Sequence, residues 1–149
     1  IRVNLDPLGE HSDTEIWKAL GKTKMTSAIS NLPEKLENEI NSNDINFSLG
    51  ERQLLHLTRV LLRKSKIIIF DEATGKVDRK TDDEIQSIVR EVFKDCTVIT
   101  IAHRLSTILN SDRIMILDQG KIVDCGTPQV LLNKKDSLLK QLLELSSEN

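Results

Sequence analysis

The sequence predicts an α/β fold built on a parallel sheet, and three features carry that prediction. Ile67-Ile68-Ile69-Phe70 is a short, continuous apolar run closed by two acids, Asp71 and Glu72. Thr97-Val98-Ile99-Thr100-Ile101 is a second run, rich in β-branched residues that suit a strand. Between them, Ile85, Ile88, Val89 and Val92 recur at helical spacing within residues 81–93. Strand, helix and strand in that order make a right-handed βαβ unit with parallel strands. Residues 1–65 carry mainly helix and loop signals and are expected to form a separate helical lobe.

Taken in order, the first clear element begins at Ser12. Ser12 and Glu15 form a capping box ahead of Ile16, Trp17 and Leu20, so a helix starts there, and Gly21 is expected to end it. A second helical stretch near residues 26–29 runs into the breaker Asn31-Leu32-Pro33. Residues 34–46 are polar and rich in asparagine, with no sustained period, and read as a loop. Ser48 and Glu51 repeat the capping box at the head of a longer helix. Its apolar face, Leu54, Leu55, Leu57, Val60, Leu61 and Leu62, is broad enough to be covered on more than one side. The run 67–70 then reads as a fully buried strand. Further on, residues 113–117 and 121–123 flank the turn signal Asp118-Gln119-Gly120 of a hairpin. Thr127 followed by Pro128 marks a helix N-cap and first helical residue, and a last amphipathic helix covers about residues 137–145.

The 149 residues suffice for one domain with a core. Twenty-one basic and 23 acidic residues leave a net charge of −2, so no long-range field favours nucleic acid or an anionic membrane, and no nucleic-acid partner is expected. Two cysteines, Cys96 and Cys125, form no zinc-type cluster and suggest a reduced, intracellular setting. No apolar run approaches the ~20 residues of a membrane helix. The chain opens on Ile1-Arg2-Val3-Asn4-Leu5 rather than Met, and is expected to be a fragment.

Chemistry collects at three places. Asp71 and Glu72 follow the C-terminal end of a strand, where open α/β sheets place their ligands. There, one carboxylate can hold a hydrated Mg²⁺ while its neighbour positions or deprotonates a water. A strand ending in a solvated acidic turn would present the same residues. His103 follows the second strand by two residues and would share that sheet edge if the strands are parallel; a lone structural histidine is the alternative. Ser48-Leu49-Gly50-Glu51 heads a helix whose first-turn N–H groups and dipole suit a phosphate, in addition to the capping role.

These motifs, in this order, resemble the ATPase domains of ABC transporters. Phe47-Ser48-Leu49-Gly50-Glu51-Arg52-Gln53 is similar to the family signature Leu-Ser-Gly-Gly-Gln-Arg-Gln. Residues 66–74 resemble the Walker B strand with its catalytic Glu, Gly75-Lys76-Val77-Asp78 the D-loop, and residues 100–108 the histidine switch. Residues 112–128 are similar to the hairpin that follows it, and the opening residues look most like the second cassette of the multidrug-resistance-associated (C) subfamily. The resemblance implies the C-terminal part of a RecA-like P-loop NTPase core, at about residues 66–149, and an α-helical subdomain at about 1–65 ending in the signature helix. It implies Asp71 on Mg²⁺, Glu72 on the attacking water, and His103 on the γ-phosphate. Ser48, Leu49, Gly50 and Glu51 would meet the ATP of a second nucleotide-binding domain in a head-to-tail dimer, with Asp78 in the D-loop. The implied parent hydrolyses ATP to drive export, lies at the cytoplasmic face of a membrane and joins transmembrane domains. A soluble ABC ATPase and a degenerate, non-catalytic cassette are the competing readings.

The chain departs from the family pattern in two ways. No G-x-x-x-x-G-K-[ST] loop occurs; Gly21-Lys22-Thr23 has Ile16, not Gly, five residues before it and reads as a helix end. The isolated chain is therefore expected to bind Mg-ATP negligibly. The family's phosphate-loop strand would neighbour residues 97–101, which are expected to keep an open edge. Glu51 replaces the usual Gln, and a carboxylate facing a γ-phosphate would cost ~1 kcal/mol or more at intermediate dielectric. Folded back as the N3 partner of Ser48, it would avoid that cost.

Overall fold

The computed structural model describes residues 1–40, 47–71, 77–101 and 105–147. They form two compact units, Ile1–Ile99 and Thr100–Asn149.

The first unit begins with a short helix, α1 (Arg2–Leu5), followed by α2 (Asp13–Lys22) and α3 (Thr26–Ser30). A 3-10 turn at Lys35–Glu37 interrupts the stretch expected to be loop. Ser12 caps α2 with the expected box: its side chain accepts from Glu15 N–H, and the Glu15 carboxylate accepts from Ser12 N–H at 3.0 Å. Gly21 does not end the helix. The backbone turns at Lys24, φ 59°, where the Met25 N–H reaches Leu20 O at 2.8 Å and the Lys24 N–H reaches Gly21 O at 3.2 Å. That pair of bonds is a Schellman closure, and it needs the left-handed residue two positions past the last helical one. Gly21-Lys22-Thr23 is thus the end of a helix, as its sequence context implied.

Helix α4 (Leu49–Leu62) organises this unit. Leu55 and Leu62 join Ile16, Leu20, Met25, Ile29 and Leu36 in one buried cluster. Leu57 joins Ile68, Val77, Ile85, Ile88, Val89 and Phe93 in another. Leu54 and Leu61 pack against both clusters, which is what the broad apolar face of the helix anticipated. The hydroxyls of Thr23 and Thr58, both fully buried, lie 2.6 Å apart and satisfy each other where α2 ends against α4.

Strands β1 (Ile67–Asp71) and β2 (Thr97–Ile101) flank helix α5 (Arg79–Val92) in sequence and pair in a small parallel sheet. Their starts adjoin, the Thr97 N–H donating to Lys66 O at 2.8 Å. The fully buried strand expected at 67–70 is corrected here. Ile68 is buried against Leu57 and the apolar face of α5, whereas Ile67 and Ile69 are each 63% exposed. Side chains alternate across a strand, and the helical layer of this unit covers one of its two faces. Among the described residues β2 pairs with β1 alone, which leaves its other edge open as expected.

The second unit contains α6 (Leu105–Leu109), a hairpin of β3 (Ile114–Asp118) and β4 (Lys121–Gly126), then α7 (Pro128–Leu132) and α8 (Leu138–Ser147). Gln119 and Gly120 both take positive φ, 45° and 75°, as a two-residue hairpin loop of the primed type requires. β4 runs three residues longer than its sequence suggested, past an irregularity in register between Ile116 and Leu117. Thr127 caps α7 through Val130 N–H, with Pro128 at the first helical position. Ile114, Leu131 and Leu139 make the buried core of the unit. No helix among the described residues is long and apolar enough to cross a membrane.

Candidate functional site

The residues read as a phosphate-facing helix start occupy the first turn of α4. Ser48 sits just outside the helix with extended backbone, φ −56° and ψ 161°. Its hydroxyl accepts the Glu51 N–H at 3.2 Å, and the Glu51 carboxylate accepts the Ser48 N–H at 2.8 Å. Glu51 therefore takes the folded-back position, its charge held over the start of its own helix. The Ser48 hydroxyl, used as an acceptor, keeps its proton to donate elsewhere. First-turn N–H groups such as those of Leu49 and Gly50 have no carbonyl partner within their own helix. The helix start thus pairs the Glu51 carboxylate with a backbone N–H and keeps further donors at its surface.

Gly50 is buried, and its neighbour explains why it is small. A Cβ built on it would stand 2.5 Å from Cγ2 of Thr81 and 4.0 Å from Oγ of Ser48. Thr81 belongs to the first turn of α5, whose N-cap is Asp78. The Thr81 N–H donates to Asp78 Oδ1 at 3.1 Å. The Asp78 carboxyl is held below its ordinary value by the adjacent Thr81 side chain first and by this N–H bond next. Asp78, Thr81 and Gly50 thus link two segments that sequence reading had treated separately.

Asp71 closes β1 and is exposed. A single carboxylate at a strand end suits Mg²⁺, a hard ion that keeps several waters and takes one or two carboxylates together with substrate phosphates. Among the described residues no group of three or more metal-binding side chains forms, so a fit to Mg²⁺ rests on Asp71 acting with phosphate oxygens. Glu72 and His103 lie outside the described residues. Cys96 and Cys125 are both free.

The sequence reading missed Thr81, although a signal was present. Asp78-Arg79-Lys80-Thr81 has the form of an N-cap and first turn, and Asp82 adds the first-turn acid that favours a helix start. Assigning Asp78 to a loop hid its capping role and delayed the helix to residue 81.

The sequence model of the family described as "ABC transporter" matches residues 4–75. ATP-binding cassette sub-family C member 4 of Homo sapiens is 48% identical over 144 residues, covering 97% of this chain and 11% of that protein. Sub-family C member 2 of Rattus norvegicus is 49% identical over 149 residues, covering 100% of this chain and 10% of that protein. Among solved structures, a bacterial Atm1-family ABC exporter with ATP bound matches with a TM-score of 0.83 at 33% identity, covering 98% of this chain and 26% of the exporter chain. The fold is accordingly α/β of the RecA-like P-loop type. The chain spans about a tenth of the length of the curated relatives it matches.

Proposed function

Because this chain belongs to the ABC transporter family, as an ATP-binding segment of the C subfamily, we propose that it works within a longer transporter whose ATP hydrolysis drives export. The observation that carries this reading is the near-50% identity over the whole chain to transporters of that subfamily. Those relatives are ATP-binding cassette proteins, and ATP is the nucleotide proposed for this chain.

In this reading residues 1–65 form the helical subdomain and residues 66–149 the core half. Asp71 holds Mg²⁺, which when bound neutralises charge on the phosphate oxygens. Glu72 orients the attacking water and accepts its proton, and His103 donates a hydrogen bond to the γ-phosphate. Ser48, Leu49, Gly50 and the start of α4 face the ATP of a second nucleotide-binding domain, in a head-to-tail pair. Glu51 stays bonded to the Ser48 N–H, so the substitution of Gln by Glu in the signature brings little repulsion to that nucleotide. Asp78 shapes the D-loop from its position as the cap of α5. The longer protein places the pair at the cytoplasmic face of a membrane, against transmembrane domains. The 149 residues on their own bind Mg-ATP negligibly, since they carry no phosphate loop. Measuring ATP hydrolysis by the longer protein, with and without Glu72, tests the proposal: hydrolysis that ignores loss of Glu72 contradicts it.

A further inference from the structure

The first turn of α4 and the first turn of α5 meet at Gly50 and Thr81. Gly50 is buried against Thr81, and the space for a Cβ is already taken by Thr81 Cγ2. A threonine methyl in a helix can leave only by rotating χ1, since β-branched side chains have few rotamers there. The backbone that carries this methyl is itself fixed, because the Thr81 N–H donates to Asp78 Oδ1 at 3.1 Å. The residue that carries the methyl is therefore anchored by the cap of α5. Gly50 in turn lies between Leu49 and Glu51, within the reciprocal Ser48–Glu51 capping box.

We propose that Thr81 is a positioning residue: its methyl sets how closely the signature helix approaches α5, and its N–H bond to Asp78 ties that spacing to the cap of α5. The inference deepens the reading of the chain as part of an ABC ATPase and rests on it for the functional consequence. The contact itself stands without it. Gly50 is then small because of Thr81, in addition to whatever closeness a nucleotide demands.

A size exchange tests this. In the 149-residue chain, Gly50→Ala forces a methyl into Thr81 and should lower Tm by about 5 °C, the scale of overpacking one methyl. Thr81→Ser removes Cγ2 and keeps the hydroxyl; alone it should lower Tm only slightly. The double variant should recover most of the loss caused by Gly50→Ala. In the longer protein, ATPase turnover should fall about tenfold or more in Gly50→Ala and return to within about threefold of Thr81→Ser in the double variant. Thr81→Val, which keeps the bulk and drops the hydroxyl, should not rescue Gly50→Ala. If Gly50→Ala is equally destabilising with Thr81→Ser or without it, the contact is wrong and the proposal falls. Stability restored without turnover also overturns the positioning role, because the loss of turnover then comes from the added methyl itself and not from the spacing that Thr81 sets. Absence of ATPase activity in the parental longer protein contradicts the family reading instead, while the Tm exchange still decides the contact.

Discussion

The Glu51 carboxylate accepts the backbone N–H of Ser48 at 2.8 Å while the Ser48 hydroxyl accepts the N–H of Glu51 at 3.2 Å, so each residue caps the other. Gln can occupy the same position in such a box. Glu51→Gln in the longer protein should therefore alter ATPase turnover only a few-fold, and upward, as the residual charge near the partner's nucleotide disappears. A rise of tenfold or more would mean that Glu51 faces the nucleotide and repels it, and a fall of tenfold would mean that its charge serves turnover. Ser48→Ala removes one half of the box and should cost about 1 kcal/mol of stability, readable by chemical denaturation of the chain.

Asp78 supplies a pH test. The Thr81 side chain and the Thr81 N–H hold its carboxyl below the ordinary value of 3.8 in the folded chain. A depressed folded value means that the contribution is fully present above 3.8 and is lost as pH falls through the lower folded value. Asp78→Ala should lower Tm at neutral pH, and its gap from the parent should narrow steadily below pH 3.8. Asp78→Asn, another good cap, should retain most of the stability at neutral pH. A gap that stays constant down to strongly acidic pH would show that the carboxylate charge contributes nothing.

Lys24 sits at φ 59° in the Schellman closure of α2, a conformation costly for a residue with a side chain. Lys24→Gly should relieve that strain. Part of the gain is offset by the greater freedom of glycine in the unfolded chain, leaving roughly 0.5–1 kcal/mol of added stability. A destabilised variant would indicate that the Lys24 side chain has a packing role.

Titrating Mg-ATP into the isolated 149 residues should give no measurable heat of binding, because the backbone cradle for the β- and γ-phosphates is absent from the sequence. A one-to-one isotherm with micromolar affinity would show that the chain holds phosphates by other means.

Local chemistry was legible wherever a short pattern has one cheap solution. Both capping boxes, the Gln119-Gly120 turn and the Thr127-Pro128 helix start form as their residues require. Gly21 misled because a glycine signals a helix end only when the bonds close around it, and here they close around Lys24. The exposure of Ile67 and Ile69 was not legible, since an apolar strand reads the same whether one face is covered or two. The contact of Gly50 with Thr81 spans 31 residues and depends on how α4 lies against α5, which periodicity does not specify.

The most direct test of the account is Glu72→Gln in the longer protein, with ATP hydrolysis and ATP binding measured on the same preparation. The substitution removes the charge that would take the water's proton and hardly changes volume. Turnover should fall by about 10²–10⁴-fold while ATP binding stays near the parental level. Near-parental hydrolysis by the variant would contradict the assignment of Glu72 and, with it, the placing of the catalytic centre at the end of β1.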